Sequence, residues 1–85
     1  MSMTAYLNGK DIMLTKKEFA LLLLFAQNEG EDISAEYIYE KVWGQDMNKS
    51  KNTLKYQISN LRKKIEDSGY VITALRNSGY RFETE

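Results

Sequence analysis

Between Lys49 and Arg81 the chain carries eight cations, Lys49, Lys51, Lys55, Arg62, Lys63, Lys64, Arg76 and Arg81, opposed in that stretch by Glu66 and Asp67 alone. Such a one-sided balance is the footprint of a polyanion binder. From Met1 to Asn48 the balance reverses, with Lys10, Lys16, Lys17 and Lys41 set against Asp11, Glu18, Glu29, Glu31, Asp32, Glu36, Glu40 and Asp46. The formal net charge of zero therefore conceals a basic half joined to an acidic half; the alternative is charge scattered for solubility. Interleaved with the cations are Asn52, Thr53, Tyr56, Gln57, Ser59 and Asn60, side chains suited to exchanging hydrogen bonds with planar donor and acceptor edges.

Other chemistries have no residues to run on. Cysteine and histidine are both absent, which removes the thiolate nucleophile and metal ligand, the commonest imidazole ligand and the commonest general base near neutral pH. Ser34 and Ser50 lack a base to activate them and are better read as helix caps. The acidic Glu29, Glu31 and Asp32 lack the alternating ligands and closing glutamate of a calcium loop, and read as a solvated loop. Neither an enzyme nor a cofactor site is expected. The longest apolar run, Phe19 to Ala26, is far short of the roughly 20 residues that span a bilayer, and nothing at the amino end resembles a signal peptide. A soluble, cytoplasmic protein is expected.

Eighty-five residues are enough for one core and one domain, residues 1–85. Asn8-Gly9, between Tyr6-Leu7 and Ile12-Leu14, predicts a short amino-terminal β-hairpin. Thr15 and Glu18 have capping-box spacing, and Leu14 and Phe19 that of a hydrophobic staple, so a helix starts at Lys16. Its expected core stripe is Phe19, Leu22, Leu23 and Ala26, widened by Leu24 and Phe25. Asn28-Glu29-Gly30 ends this helix. Ser34 caps a second, with Ile38 and Val42 on one face, Trp43 just beyond, and Gly44 closing it in a left-handed conformation. Gln45 to Lys51 follows as an exposed loop. A third helix, capped by Ser50 or Asn52 and reaching about Asp67, buries Leu54, Ile58, Leu61 and Ile65. After Ser68-Gly69, Tyr70 to Leu75 and Tyr80 to Glu83 form strands around the turn Asn77-Ser78-Gly79. The fold class is α+β.

Hairpin, two helices, loop, helix and hairpin form an order with a physical logic for duplex DNA. One helix fits the major groove, and a hairpin beside it reaches the neighbouring minor groove. The third helix is the candidate reader: Thr53, Lys55, Gln57 and Asn60 can hydrogen-bond base edges, and Asn and Gln match adenine bidentately. Arg62, Lys63 and Lys64 suit phosphates, which hold register without reading sequence, although cations also favour the last turn of any helix. Arg76, before the wing turn, could enter a minor groove or only pair with a neighbour. The alternative from another class is a winged-helix module whose basic face meets an acidic protein.

Across nearly its whole length the chain resembles the carboxy-terminal effector domains of OmpR/PhoB-type response regulators. The landmarks are Leu14-Thr15, Glu18-Phe19 and Leu22-Leu23; then Val42-Trp43-Gly44; then Thr53, Ile58, Leu61-Arg62-Lys63-Lys64 and Ile65; and finally Arg76-Asn77-Ser78-Gly79-Tyr80-Arg81-Phe82. The resemblance implies a winged helix-turn-helix with its third helix in the major groove and Arg76 of the wing toward the minor groove. It further implies a Gln45 to Lys51 loop that touches RNA polymerase, and two copies on adjacent DNA repeats. Thr53, Arg62 and Arg76 match positions the family uses on DNA, with Asn77 beside them. Asn52, Lys55, Gln57 and Asn60 fall where the family varies, Asn60 standing where arginine is common. The amino-terminal sheet is shorter than the family's, and no receiver domain is expected within these residues.

Overall fold

The computed structural model describes residues 6–7, 10–11, 13–44, 51–77 and 79–85, the first four and Lys51 by their backbone only. The strands β1 (Tyr6–Leu7) and β2 (Lys10–Asp11) pair antiparallel, Tyr6 with Asp11 and Leu7 with Lys10. An amino-terminal hairpin forms as expected, but its second strand is Lys10–Asp11 rather than Ile12 to Leu14, of which Met13 and Leu14 belong to no strand. Asn8, Gly9 and Ile12 lie outside the described residues, as do Gln45 to Ser50 and Ser78.

The capping box forms as the spacing predicts. The Glu18 N–H donates to the Thr15 hydroxyl oxygen at 3.2 Å, and the Thr15 N–H to Glu18 Oε1 at 2.9 Å, starting α1 (Lys16–Gln27). Ser34 caps α2 (Ala35–Trp43) by accepting from the Tyr37 N–H, and Gly44 closes it at φ 74°, a conformation that costs glycine nothing. The third helix, α3 (Lys51–Lys64), stops short of Asp67. Residues 65–69 instead form a turn, in which Gly69 adopts φ 84° and Ser68 Oγ accepts from the Tyr70 N–H. The strand β4 (Tyr70–Ala74) then pairs antiparallel with β5 (Gly79–Thr84).

Two further expectations fail. Asp32 to Ser34, read as loop and cap, forms a strand, β3 (Asp32–Ser34), which pairs with β5 and gives an antiparallel sheet in the order β3-β5-β4. Three residues hold too little alternation to signal a strand; a partner far along the chain makes it one. The buried face of α1 is Glu18, Leu21 and Phe25: Phe25 is buried as expected and Leu22 and Leu24 pack partly against the core, but Leu21 replaces Phe19, Leu23 and Ala26 at its centre, and Leu23 is 39% exposed. With every position from Phe19 to Ala26 apolar, the sequence leaves the rotation of the helix undetermined.

The core gathers Leu21 and Phe25 of α1, Ile38 and Tyr39 of α2, Leu54, Ile58 and Leu61 of α3, with Ile65, Ile72 and Phe82. Phe82 stacks on Phe25 and on Tyr70, with centroids 6.0 and 4.8 Å apart, tying the sheet to α1. All four apolar positions expected of the third helix are buried.

Glu18, 3% exposed, is a charged residue inside this core. Lys64 in the last turn of α3 donates to its Oε1 at 2.6 Å and to the Met13 carbonyl oxygen at 3.0 Å, binding the start of α1 to the end of α3. Burial pushes the Glu18 carboxyl up, but hydrogen bonds from Lys64 and the Thr15 N–H, with the Lys64 charge, outweigh burial and hold it below its ordinary value. A carboxyl lowered on folding stabilises at pH above its unfolded value, and that contribution fades as pH falls through the folded one. Glu18→Gln should therefore cost about 2 kcal/mol near pH 7. In denaturant melts the gap from the wild type should stay constant above about pH 5 and close on further acidification; a gap that persists at the acid end contradicts the assignment.

Candidate nucleic-acid interface

The buried residues of α3 determine what its other side presents. Opposite Leu54, Ile58 and Leu61 runs the stripe Asn52, Tyr56, Ser59 and Lys63, with the same steps of four, three and four positions. All four are exposed, and Tyr56 is 65% exposed with its ring uncovered. Thr53 and Lys55 are exposed too, while Gln57 and Asn60 are half-buried. Gln57 lies seven positions before Lys64, hence on the flank that turns toward α1. Among the sequence-derived reader candidates, Thr53 and Lys55 therefore stand clear, and Gln57 and Asn60 sit at the shoulder. Tyr56 is at the centre of the outer stripe, a position that only the phase of the helix reveals.

The run Arg62-Lys63-Lys64 splits three ways. Lys63 faces solvent. Lys64, grouped with the phosphate cations on sequence grounds, points inward to Glu18 and Met13 instead, because the buried carboxylate is its nearer counter-charge. Arg62 stays exposed but donates from Nε and Nη2 to the Ile72 carbonyl oxygen, at 3.0 and 2.8 Å, with its guanidinium 5.9 Å from the Tyr80 ring centre. Arg81 is likewise paired, across the sheet with Asp32 of β3 at 3.2 Å and along its own strand with Glu83 at 3.8 Å.

Arg76 and Asn77 are exposed at the turn between β4 and β5, closed by the Leu75 N–H donating to the Gly79 carbonyl oxygen at 2.9 Å. A further cation, given no role by the sequence reading, serves α2: Lys17 Nζ donates to the Val42 carbonyl oxygen at 3.3 Å and lies 5.4 Å from the Trp43 ring centre. Tyr39 stacks on the same Trp43 at 4.6 Å. Together they fix the end of α2. The arrangement offers donors and acceptors on a rod about one helix wide, a cation on the same face, and a hairpin tip beside it. No helix among the described residues is long and apolar enough to cross a membrane.

Three helices on a three-stranded antiparallel sheet, with a terminal hairpin flanking the last helix, constitute a winged helix-turn-helix domain. Residues 9–82 match the family model described as "Transcriptional regulatory protein, C terminal". The chain belongs to this family, the effector domains of OmpR/PhoB-type response regulators. It is similar to the response regulator SaeR of Staphylococcus epidermidis, 40% identical over 86 residues that cover 98% of this chain and 38% of that protein. To the regulatory protein VanRB of Enterococcus faecalis it is 38% identical over 76 residues, covering 89% and 34%. The chain thus spans between 34% and 38% of the length of these curated relatives. Among solved structures it superposes on the DNA-binding domain of CpxR from E. coli with a TM-score of 0.84 at 32% identity, covering 96% of this chain and 83% of that one. It superposes on the Klebsiella pneumoniae RstA DNA-binding domain, solved in complex with the RstA box, with a TM-score of 0.82 at 26% identity, covering 94% and 82%.

Beside its turn the hairpin is held to β3 by close backbone approach. A Cβ on Gly79 would lie 2.7 Å from the Ile33 carbonyl oxygen, so that β3 and β5 could not keep their register. Gly79→Ala should destabilise the domain by about 2 kcal/mol or more. Urea denaturation checks this, and a midpoint equal to the wild type's contradicts the packing described.

Proposed function

We propose that this chain is the DNA-binding output domain of a response regulator, recognising a specific duplex sequence with the outer side of α3 in the major groove. Asn52, Thr53, Lys55, Tyr56 and Ser59 address base edges, with Gln57 and Asn60 at the margins. Lys63 and the free part of the Arg62 guanidinium meet phosphates, and Arg76 and Asn77 reach the adjoining minor groove. The observation that carries the reading is the uncovered hydrophilic stripe of α3, set beside an exposed, cation-tipped hairpin. Further support comes from the family and from RstA, a domain of the same fold solved with its DNA box; this favours DNA over an acidic protein partner. One helix and one wing suffice for the roughly 600–1,000 Å² that a single module buries on DNA. Two copies bind adjacent repeats, and the Gln45 to Lys51 segment meets RNA polymerase. The output is occupancy of a cytoplasmic DNA site, with no reaction catalysed.

Selection of bound duplexes from a random pool, followed by affinity titration at several salt concentrations, tests this. A defined motif should emerge. Lys55→Ala, Tyr56→Ala and Asn60→Ala should each relax preference at one position, costing about 1–3 kcal/mol on the best site. Lys63→Gln should weaken all sequences alike and reduce the salt slope by about one. Absence of any retardation on random duplex at low salt would sink the proposal.

A further inference from the structure

The outward edge of the wing is not left free. In an antiparallel pair the N–H and C=O of one residue point the same way, and alternate residues exchange both with the partner strand. The Leu75 N–H donates to the Gly79 carbonyl oxygen, and the register aligns Thr73 with Arg81 and Ile72 with Phe82. Residues 75, 73 and 71 therefore turn their polar groups toward β5, and Ile72 turns its own to the outer edge of β4. There its carbonyl oxygen accepts both the Nε–H and an Nη2–H of Arg62, while the guanidinium also rests near the ring of Tyr80 in β5. One side chain on the third helix thus touches both strands of the wing.

We infer that Arg62 is a positioning residue that latches the wing to α3 and so sets where Arg76 stands relative to the reading face. Arg76 lies four residues past Ile72, beyond the end of β4 and in the turn, so a small change in the seating of β4 becomes a larger displacement at the tip. The planar fork of arginine suits the task; lysine carries the same charge on a compact ammonium whose three donors form no fixed planar fork, and so cannot grip one carbonyl oxygen through two N–H groups. Arg62 is exposed, so replacing it opens no cavity in the core. The inference rests on the DNA-binding reading only for what the tip meets; the latch itself is a property of the free protein.

The test uses Arg62→Lys, with Arg62→Gln as a second variant, in two arms. In the protein without DNA, amide exchange at Thr73 and Leu75 should rise about tenfold in both variants, while Leu21 and Phe25 in α1 keep wild-type protection. On the selected duplex, Arg76→Ala should weaken the wild type about tenfold but an Arg62→Lys background by twofold or less. The salt slope of Arg62→Lys itself should stay unchanged, because its charge is kept. Wild-type exchange in both variants overturns the latch, and so do independent, multiplicative losses from Arg62 and Arg76. A wild-type chain that binds no duplex overturns the functional reading, and the exchange arm then decides the latch alone.

Discussion

Burial of Leu54, Ile58, Leu61 and Ile65 against α1, α2 and the sheet fixes the rotation of the third helix, and everything the molecule presents to a partner follows from that rotation. These residues occupy one narrow side, and turning the helix to expose any of them would cost on the order of 2 kcal/mol per side chain. The opposite side is left hydrophilic because the core has no further room for it. Asn52, Tyr56, Ser59 and Lys63 face outward for the same reason that the apolar four face inward.

The last turn of α3 distributes three adjacent cations to three tasks. Lys64 closes a buried ion pair at the entrance of α1, Arg62 engages the wing, and Lys63 stays in solvent. A helix advances about 100° per residue, so consecutive positions diverge by necessity. Both flanks of α3 are thereby secured through its last turn, one to the start of the first helix and one to the terminal hairpin. Charge that composition would count as available for a polyanion is thus partly consumed in holding the interface in shape.

Much of this was legible in the amino acids. Local signals with a mechanism succeeded: the Thr15–Glu18 box, the Ser34 cap, the left-handed Gly44 and the four-three-four spacing of the third helix all reappear in the structure. What failed depended on distant partners. Leu21 could not be told from Leu22, Leu23 and Ala26 in a uniformly apolar run. The strand at Asp32 exists because of β5, and the helix end near Lys64 because Gly69 reverses the chain. Lys64 and Arg62 look like solvated cations until their partners, 46 and 10 positions away, are brought beside them. The outer stripe was read in composition but not in phase, which is why Tyr56 emerges at its centre and Gln57 at its shoulder.

Titrating the isotopically labelled domain with its selected duplex and following backbone amide resonances shows whether the side of α3 opposite the core is the surface on which a duplex lies. The largest changes should fall at Asn52, Tyr56, Ser59 and Lys63 and at Arg76 and Asn77, with the outer side of α1 around Leu23 unmoved. Changes centred on α1 or α2, with the stripe of α3 silent, would contradict this placement of the duplex.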